Sequence, residues 1–243
     1  MRRKKSVFKR LCSVFTAVIL AVSAASPAFA AGTGGTAGTT ASAVSAAAGD
    51  LTVSVSSASY TYVPTRAIRY YWQGGKWRMD YTAKYTYKDG RLVKTVYGSD
   101  NLVEKYTYYK NGRLKKVKYY SNGKDLVETK TYKNYNSHGD AKTVRVKTAE
   151  DAYTIKYAYR YNKKGRIKKQ TANYLYGGGY NEKIVTSYTY DAKGYPKTVT
   201  EKSVTSNTVT YKNKYYKGKY LKSATAKEWQ KTVYSGFKKI KTK

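Results

Sequence analysis

One histidine and a few carboxylates set the limits on what this chain could catalyse. His138, the single histidine, lies in Asn136-Ser137-His138-Gly139-Asp140, and a general base needs a partner that positions it. The setting is that of a hairpin tip, where polar residues gather to make the turn. The densest acidic pairs, Glu150-Asp151 and Asp125 with Glu128, fall at turns among lysines. Local charge balance accounts for them, whereas a glycosidase pair must flank one scissile bond. A metal would have one histidine and scattered carboxylates to choose from. Gly177-Gly178-Gly179 lacks the following helix and Lys-Ser/Thr of a phosphate loop, and no serine stands in a nucleophile-elbow setting. The expectation is a non-enzymatic protein with no cofactor and no metal site.

Interleaved lysine and tyrosine form the one constellation suited to recognition. It recurs as Lys115-Lys116-Val117-Lys118-Tyr119-Tyr120, Lys156-Tyr157-Ala158-Tyr159-Arg160-Tyr161 and Lys212-Asn213-Lys214-Tyr215-Tyr216-Lys217-Gly218-Lys219-Tyr220. Rings with cations can hold sugars and phosphates or stack the bases of single-stranded nucleic acid. The same lysines also guard strand edges against aggregation. Solubility needs charge of either sign, and here one sign dominates, which favours binding. The candidate binding residues are Trp72, Trp77, Lys115, Lys116, Lys118, Tyr119, Lys156, Tyr157, Tyr159, Arg160, Lys214, Tyr215 and Lys219.

A repeated phrase must position these residues. Tyr188-Thr189-Tyr190-Asp191-Ala192-Lys193-Gly194-Tyr195-Pro196 is an aromatic alternation running into a glycine-bearing tip, the pattern of a β-hairpin. Copies begin at Tyr85 and Tyr106, and looser ones end at Gly139, Gly165 and Gly218, so glycines 90, 112, 139, 165, 194 and 218 recur every 22 to 29 residues. Such a period signals an array of supersecondary units. Pairing across each loop predicts Tyr87 opposite Leu92, Tyr108 opposite Leu114, Tyr135 opposite Ala141, Tyr161 opposite Ile167 and Tyr190 opposite Pro196. Loop lengths differ, yet the tyrosine keeps its face; a one-residue slip would turn the strand over. Second turns at Gly98–Asn101, Ser121–Lys124, Ala149–Asp151, Gly177–Gly179 and Ser206-Asn207 complete a meander of strands.

Over residues 81–226 the chain resembles the YD repeats of Rhs proteins, roughly Y-x-Y-D-x-x-G-R-L. Tyr188–Lys197 keeps the Asp as Asp191, and Tyr85–Leu92 and Tyr157–Ile167 keep Gly-Arg-Leu/Ile, while Pro196 and Ala141 replace the usual Leu. The resemblance implies a repeat scaffold, with carbohydrate binding often proposed for that family. Large members wind many repeats into a shell around a toxin; six copies are too few, and no toxin-like segment follows. Ile68–Tyr81, with Gly74-Gly75 at its tip between Trp72 and Trp77, also resembles the aromatic hairpins of choline- or glucan-binding cell-wall repeats. Its expected role is to cap the open end of the sheet.

Residues 1–30 read as a secretory signal peptide: six cations among the first ten residues, an apolar Val14–Val22 and a small-residue cleavage site at Ala28-Phe29-Ala30. The apolar run is shorter than the roughly 20 residues of a membrane-spanning helix. Cys12, the only cysteine, lies within that peptide, so the mature chain has no thiol. Without those six cations, 42 Lys+Arg face 14 Asp+Glu, a net charge of +28. Such a charge predicts association with an anionic polymer or surface. Leu, Ile, Val and Phe number 28 from residue 51 onward, few enough to flag disorder. The 30 tyrosines and three tryptophans of the same span supply the missing apolar bulk.

The expected organisation is a signal peptide over 1–30, a flexible Ala/Gly/Thr/Ser linker over 31–50, capping strands and the Trp hairpin over 51–84, six hairpin repeats over 85–226, and a basic strand or tail over 227–243. The fold class is all-β: an extended antiparallel β-meander of Tyr-rich hairpins, forming a single twisted sheet or an open, curled, barrel-like trough. The expected function is that of a secreted, cell-envelope-associated binding protein for anionic polymers such as teichoic acid or acidic polysaccharide. Extracellular DNA and an anionic membrane surface are further partners of the same kind. The alternative is a structural or adhesive scaffold that contacts proteins through a sheet edge.

Overall fold

The computed structural model describes residues 60–98, 101–179, 181–204, 206–216 and 220–241. The signal peptide, the linker, the strand expected from Leu51, and Gly218 and Lys219 lie outside them. The chain is all-β and antiparallel: β1 (Tyr60–Val63), β2 (Arg66–Gln73), β3 (Lys76–Lys88), β4 (Arg91–Tyr97), β5 (Val103–Tyr108), β6 (Leu114–Ser121), β7 (Asp125–Tyr135) and β8 (Ala141–Thr148). There follow β9 (Ala152–Tyr161), β10 (Ile167–Leu175), β11 (Asn181–Tyr190), β12 (Pro196–Ser203), β13 (Val209–Tyr216), β14 (Tyr220–Ala226), β15 (Gln230–Ser235) and β16 (Lys238–Lys241).

Strands β2 to β15 close into a 14-strand barrel, and β1 pairs with β16 as a separate two-stranded ribbon. Closure corrects the expectation of a single open sheet or trough. It is made by β15 against β2, with Gln230 opposite Tyr71 and Ser235 opposite Arg66. The Trp hairpin therefore does not cap an open end; its two strands belong to the wall, β3 pairing onward with β4. The physical reason is the edge itself: an open meander leaves two rows of unpaired backbone groups, and joining them removes both.

The tyrosine hairpins pair as their loops require. Tyr87 faces Leu92, Tyr108 faces Leu114, Tyr135 faces Ala141, Tyr161 faces Ile167 and Tyr190 faces Pro196, and Tyr215 faces Leu221 in the last hairpin. Asp89 and Gly90 both have positive φ, 49° and 75°, as a two-residue type I′ turn demands. In three longer loops an Asx side chain closes the turn. Oδ1 of Asn136, Asn162 and Asp191 accepts from the backbone N–H of Asp140, Arg166 and Tyr195 at 2.9, 3.0 and 2.8 Å. The aspartate of the repeat phrase is thus a loop clamp, and asparagine does the same work.

Each repeat is also tied to the one before it. Hydroxyls of Tyr108, Tyr159, Tyr190 and Tyr215 donate to the carbonyls of Leu92, Ala141, Ile167 and Pro196 at 2.7, 2.8, 2.6 and 2.8 Å, and Tyr135 donates to Leu114. From the other side, the guanidinium groups of Arg91, Arg113 and Arg166 lie over the rings of Tyr108, Tyr135 and Tyr190, 5.3 to 5.6 Å from their centroids. Where this ladder lacks an arginine, His138 stacks on Tyr161 at 3.8 Å.

A circular barrel of this strand number would enclose a channel too wide for side chains to fill. The inward residues of β4 to β8 are nonetheless closely packed: Val117, Val144, Val146 and Thr95 are 0 to 1% exposed. Inward residues such as Tyr153, Tyr157, Glu201 and Tyr211, on β9, β12 and β13, keep part of their surface accessible. In a closed wall that surface borders the lumen.

Candidate functional site

Strand alternation sorts the charges. Along β9, Lys156, Ala158 and Arg160 are exposed, while Tyr157, Tyr159 and Tyr161 are partly buried and inward. The same period runs through the wall, because a pleated strand points successive side chains to opposite faces. Glutamates within the strands follow it. Among the described residues, Glu104, Glu128, Glu182 and Glu201 occupy inward positions, and Asp80 is held by Arg69 at 3.1 Å. Asp89, Asp125, Asp140, Glu150, Asp151, Asp191 and Glu228 lie in turns or at strand ends. Away from strand ends, the one exposed carboxylate among the described wall residues is Asp80, at the β2–β3 bulge, and it is paired with Arg69.

What remains outside is lysine, arginine and threonine. Across β3 to β8 one outward row reads Thr86, Lys94, Lys105, Lys118, Thr129, Lys147 in direct register. Three lysines on adjacent strands, about 4.8 Å apart at the backbone, repel one another. The Lys105 ammonium is partly relieved by lying 4.6 Å from the Tyr120 ring centroid. A bilayer-facing barrel needs an apolar outer band, where each midplane lysine would cost about 2 to 4 kcal/mol. This wall is built in the opposite sense, aromatic within and cationic without.

The candidate residues divide between the two surfaces. Lys115, Lys116, Lys118, Lys156, Arg160 and Lys214 belong to the outer set, with Lys115 5.6 Å from the Tyr109 ring centroid. Tyr119, Tyr157, Tyr159 and Tyr215 face inward, Tyr119 being only 3% exposed. The lysines and tyrosines that alternate in sequence therefore do not share one binding face. Trp72 and Trp77 meet edge to face at 5.1 Å across the β2–β3 hairpin. Lys231 reaches over Trp77 at 5.8 Å and over Tyr70 at 5.5 Å, and Met79 beside them is 62% exposed. This aromatic patch sits on the cationic wall.

Inside lies a polar cluster that sequence reasoning passed over. Thr95, Glu104, Tyr119, Glu128 and Thr148 form one inward row across β4 to β8. Tyr106 donates to Glu104 Oε2, and its hydroxyl is 3.2 Å from Thr95 Oγ1. Lys130 Nζ donates to the Tyr119 hydroxyl at 3.1 Å and stands 3.5 Å from Glu128. Burial pushes the Glu104 carboxyl up to about 7, although Tyr106, Lys130 and Tyr97 all favour its charged form. Burial likewise lowers Lys130, against the pull of Glu128 and Glu104. Glu201, opposite Val209, is raised to about 7 by burial alone. Phase was the available signal: Glu104 alternates with Tyr106 and Tyr108, and Glu128 and Lys130 with Tyr132.

His138 does more than fill a turn. It stacks on Tyr161, whose hydroxyl donates to Asp140 Oδ2 at 2.6 Å and accepts from Asn136 Nδ2 at 2.6 Å. Burial raises Asp140 to about 6. Among the described residues no group of three or more His, Cys, Asp and Glu side chains is arranged to hold a metal ion.

No protein-family model and no curated relative matches the chain. Similar solved structures include a porin-like protein from Bacteroides vulgatus, 10% identical over 71% of this chain and 97% of that one, with a TM-score of 0.41. A porin-like protein from Bacteroides uniformis gives 10% identity, the same coverages and a TM-score of 0.38. The TcdB2-TccC3-Cdc42 structure gives 11% identity over 73% of this chain and 12% of that one, with a TM-score of 0.23. Likeness at this level carries no functional inference.

Proposed function

We propose that this is a secreted, non-catalytic binding protein whose outer wall holds anionic polymers of the cell envelope, such as teichoic acid or acidic polysaccharide. The observation that carries the reading is the charge segregation: every described acidic side chain is turned inward, paired or placed at a turn, leaving Lys94, Lys105 and Lys118 side by side without a counter-charge. Such a row is unfavourable for the isolated protein and becomes favourable when phosphates or carboxylates lie along it. Trp72 and Trp77 add a stacking surface for a sugar ring beside Lys231. The YD-repeat relationship belongs to the same proposal. In it, the Tyr, Asp/Asn, Gly and Arg positions of each phrase build the scaffold, and outward lysines supply recognition. Secretion rests on the N-terminal pattern of residues 1–30.

Binding to purified cell walls before and after removal of teichoic acid, at two salt concentrations, tests the proposal. Exposed ionic contacts are screened over about 8 to 10 Å at physiological salt. Retention should therefore fall steeply with salt and with loss of the polymer. Retention indifferent to both would favour the adhesive scaffold. In that reading β1 and β16, which pair only with each other among the described strands, offer backbone edges to a protein partner.

A further inference from the structure

The two ends of the barrel differ in kind. Among the described residues, the large apolar side chains that stand exposed are Tyr71, Met79, Leu126, Val204 and Trp229, 38 to 81% accessible. All five lie at the end opposite the tyrosine-hairpin turns. In ring order they run from the β12–β13 loop through the β14–β15 turn and the β2–β3 hairpin to the start of β7, an arc of the rim and not a groove. The loops of the other end present Lys110, Lys163, Lys164 and Lys193 instead.

The β2–β3 hairpin projects from this rim. Residues 76–81 of β3 pair with β2 alone among the described strands, since pairing with β4 begins at Ala83 opposite Tyr97. A Cβ built at Gly74 or Gly75 would meet nothing within 4 Å, so the tip stands clear of the barrel. Trp72 and Trp77 meet at 5.1 Å on one face of the hairpin, and the Trp72 backbone N–H donates to the Trp229 carbonyl at 3.0 Å, which fastens the hairpin to the neighbouring turn. Charge around it has one sign. Asp80 is engaged by Arg69 at 3.1 Å and Glu228 by Lys227 at 3.7 Å, whereas Lys76 and Arg78, both exposed, enter no ion pair among the described residues. Asp125 stands at the far end of the arc beside Leu126, and the acidic Glu150-Asp151 turn is nearly opposite in the ring.

We propose that this end of the barrel seats in the headgroup layer of an anionic lipid bilayer, with Trp72, Trp77, Met79 and Trp229 entering the interface and Lys76 and Arg78 meeting lipid phosphates. Tryptophan joins an apolar body to a polar rim and suits that layer, and cations beside it are drawn to anionic headgroups. Apolar groups spread along an arc fit a broad, flat partner better than a peptide. The free edge of β3 is in addition blunted against strand addition by Lys76, Arg78 and the bulge at Asp80. The seat goes beyond the polymer binding proposed for the wall: Lys94, Lys105 and Lys118 lie in mid-strand on β4, β5 and β6 and stay free, while Trp72 and Trp77 cannot stack on a sugar when they lie in lipid.

Sedimentation of the full mature chain with vesicles of phosphatidylcholine and phosphatidylglycerol tests the seat, with bromine on the acyl chains as a quencher. All three tryptophans of the chain lie at this end, so their fluorescence reports on it alone. The protein is expected to sediment with the vesicles, its emission to move to shorter wavelength, and brominated chains to quench it. Met79→Glu should weaken vesicle binding about tenfold. Lys105→Gln should keep the quenching while its retention on cell walls falls, so failure of this seat and failure of the wall site are read separately. The quenching of the unaltered protein stands as a readout even if Met79→Glu fails to fold. Failure to sediment, sedimentation without quenching, as wall lysines on headgroups would give, or equal binding by folded Met79→Glu would overturn the proposal.

Discussion

The Tyr190 hydroxyl donates to the Ile167 carbonyl at 2.6 Å, while Arg166, the residue before that isoleucine, lies over the Tyr190 ring at 5.6 Å. One tyrosine thus reads two consecutive residues of the preceding repeat, one through its rim and one through its face. The same pairing joins Tyr108 to Leu92 and Arg91. It explains why Gly-Arg-Leu and Tyr-x-Tyr travel together in the phrase. The covalent hairpin fixes one tyrosine opposite one aliphatic residue, and these contacts fix the next hairpin beside it.

Removing either half of that contact should have a separable effect. Tyr190→Phe deletes the hydrogen bond and is expected to destabilise by about 1 kcal/mol. Arg166→Ala removes the cation and should cost about 0.5 to 1 kcal/mol. Urea unfolding of both variants and their combination checks the pair. Losses that add without coupling would mean that ring and guanidinium do not act on one another.

Gly194 should be harder to replace than Gly75. Its φ is 91°, and a Cβ built there would collide with the Arg166 guanidinium. Gly75 provides the comparison: its φ is 76°, but nothing lies within 4 Å of the same added atom. Both Gly→Ala variants carry the left-handed backbone penalty of about 1 to 2 kcal/mol. Gly194→Ala should lose more, and much of the excess should disappear when Arg166 is also truncated to Ala. Equal losses at the two glycines would show that the guanidinium gives way freely.

How much of this was legible in the sequence depended on whether the information was local. Tyr108 opposite Leu114, or Tyr190 opposite Pro196, follows from a short loop and the penalty for a one-residue slip. Closure does not, because Arg66 and Ser235 meet with no turn between them to announce it. Lys156 and Tyr157 adjoin in sequence and so suggest one binding constellation, although the two-residue period that identifies the strand places them on opposite faces. Glu104 was passed over for a related reason. A carboxylate in phase with buried tyrosines looks like a fault in the pattern until the barrel shows Tyr106 and Thr95 around it. The Asx clamp has a local signal, since Asn136, Asn162 and Asp191 all stand three residues before the loop glycine, but aligning asparagine with aspartate is what brings it out.

Stability should fall as pH rises from acid toward neutral. Glu104 and Glu201 are raised from 4.5 to about 7 in the folded protein. Between those values the native state holds protons that the unfolded chain has released, so each increment of pH favours unfolding. Full ionisation of Glu104 in place would remove about 3 kcal/mol. Of the groups that face it, Tyr106, Lys130, Tyr97 and Glu128 are already counted in that balance; Lys130, itself lowered by burial, works in the opposite sense where it titrates, because the unfolded chain then holds a proton that the native state has released. Chemical unfolding at pH 5, 6, 7 and 8 should give a slope that Glu104→Gln flattens. An unaltered slope in that variant would place the titration elsewhere.

The wall lysines make a prediction in which stability and binding move in opposite directions. Lys105 sits between Lys94 and Lys118 on the flanking strands, so Lys105→Glu converts two repulsive neighbours into two attractive ones. Cross-strand charge pairs contribute roughly 0.2 to 1 kcal/mol each, partly offset by loss of the ammonium over the Tyr120 ring. The variant should be more stable by about 0.5 kcal/mol and its advantage should shrink in high salt. Its retention on teichoic-acid-bearing walls should drop several-fold, with a shallower salt dependence. Lys105→Gln should fall between the two on both scales, because it removes one charge without inverting it. If the stabilised variant bound the polymer as well as the parent does, the uncompensated lysine row would be unrelated to polymer binding.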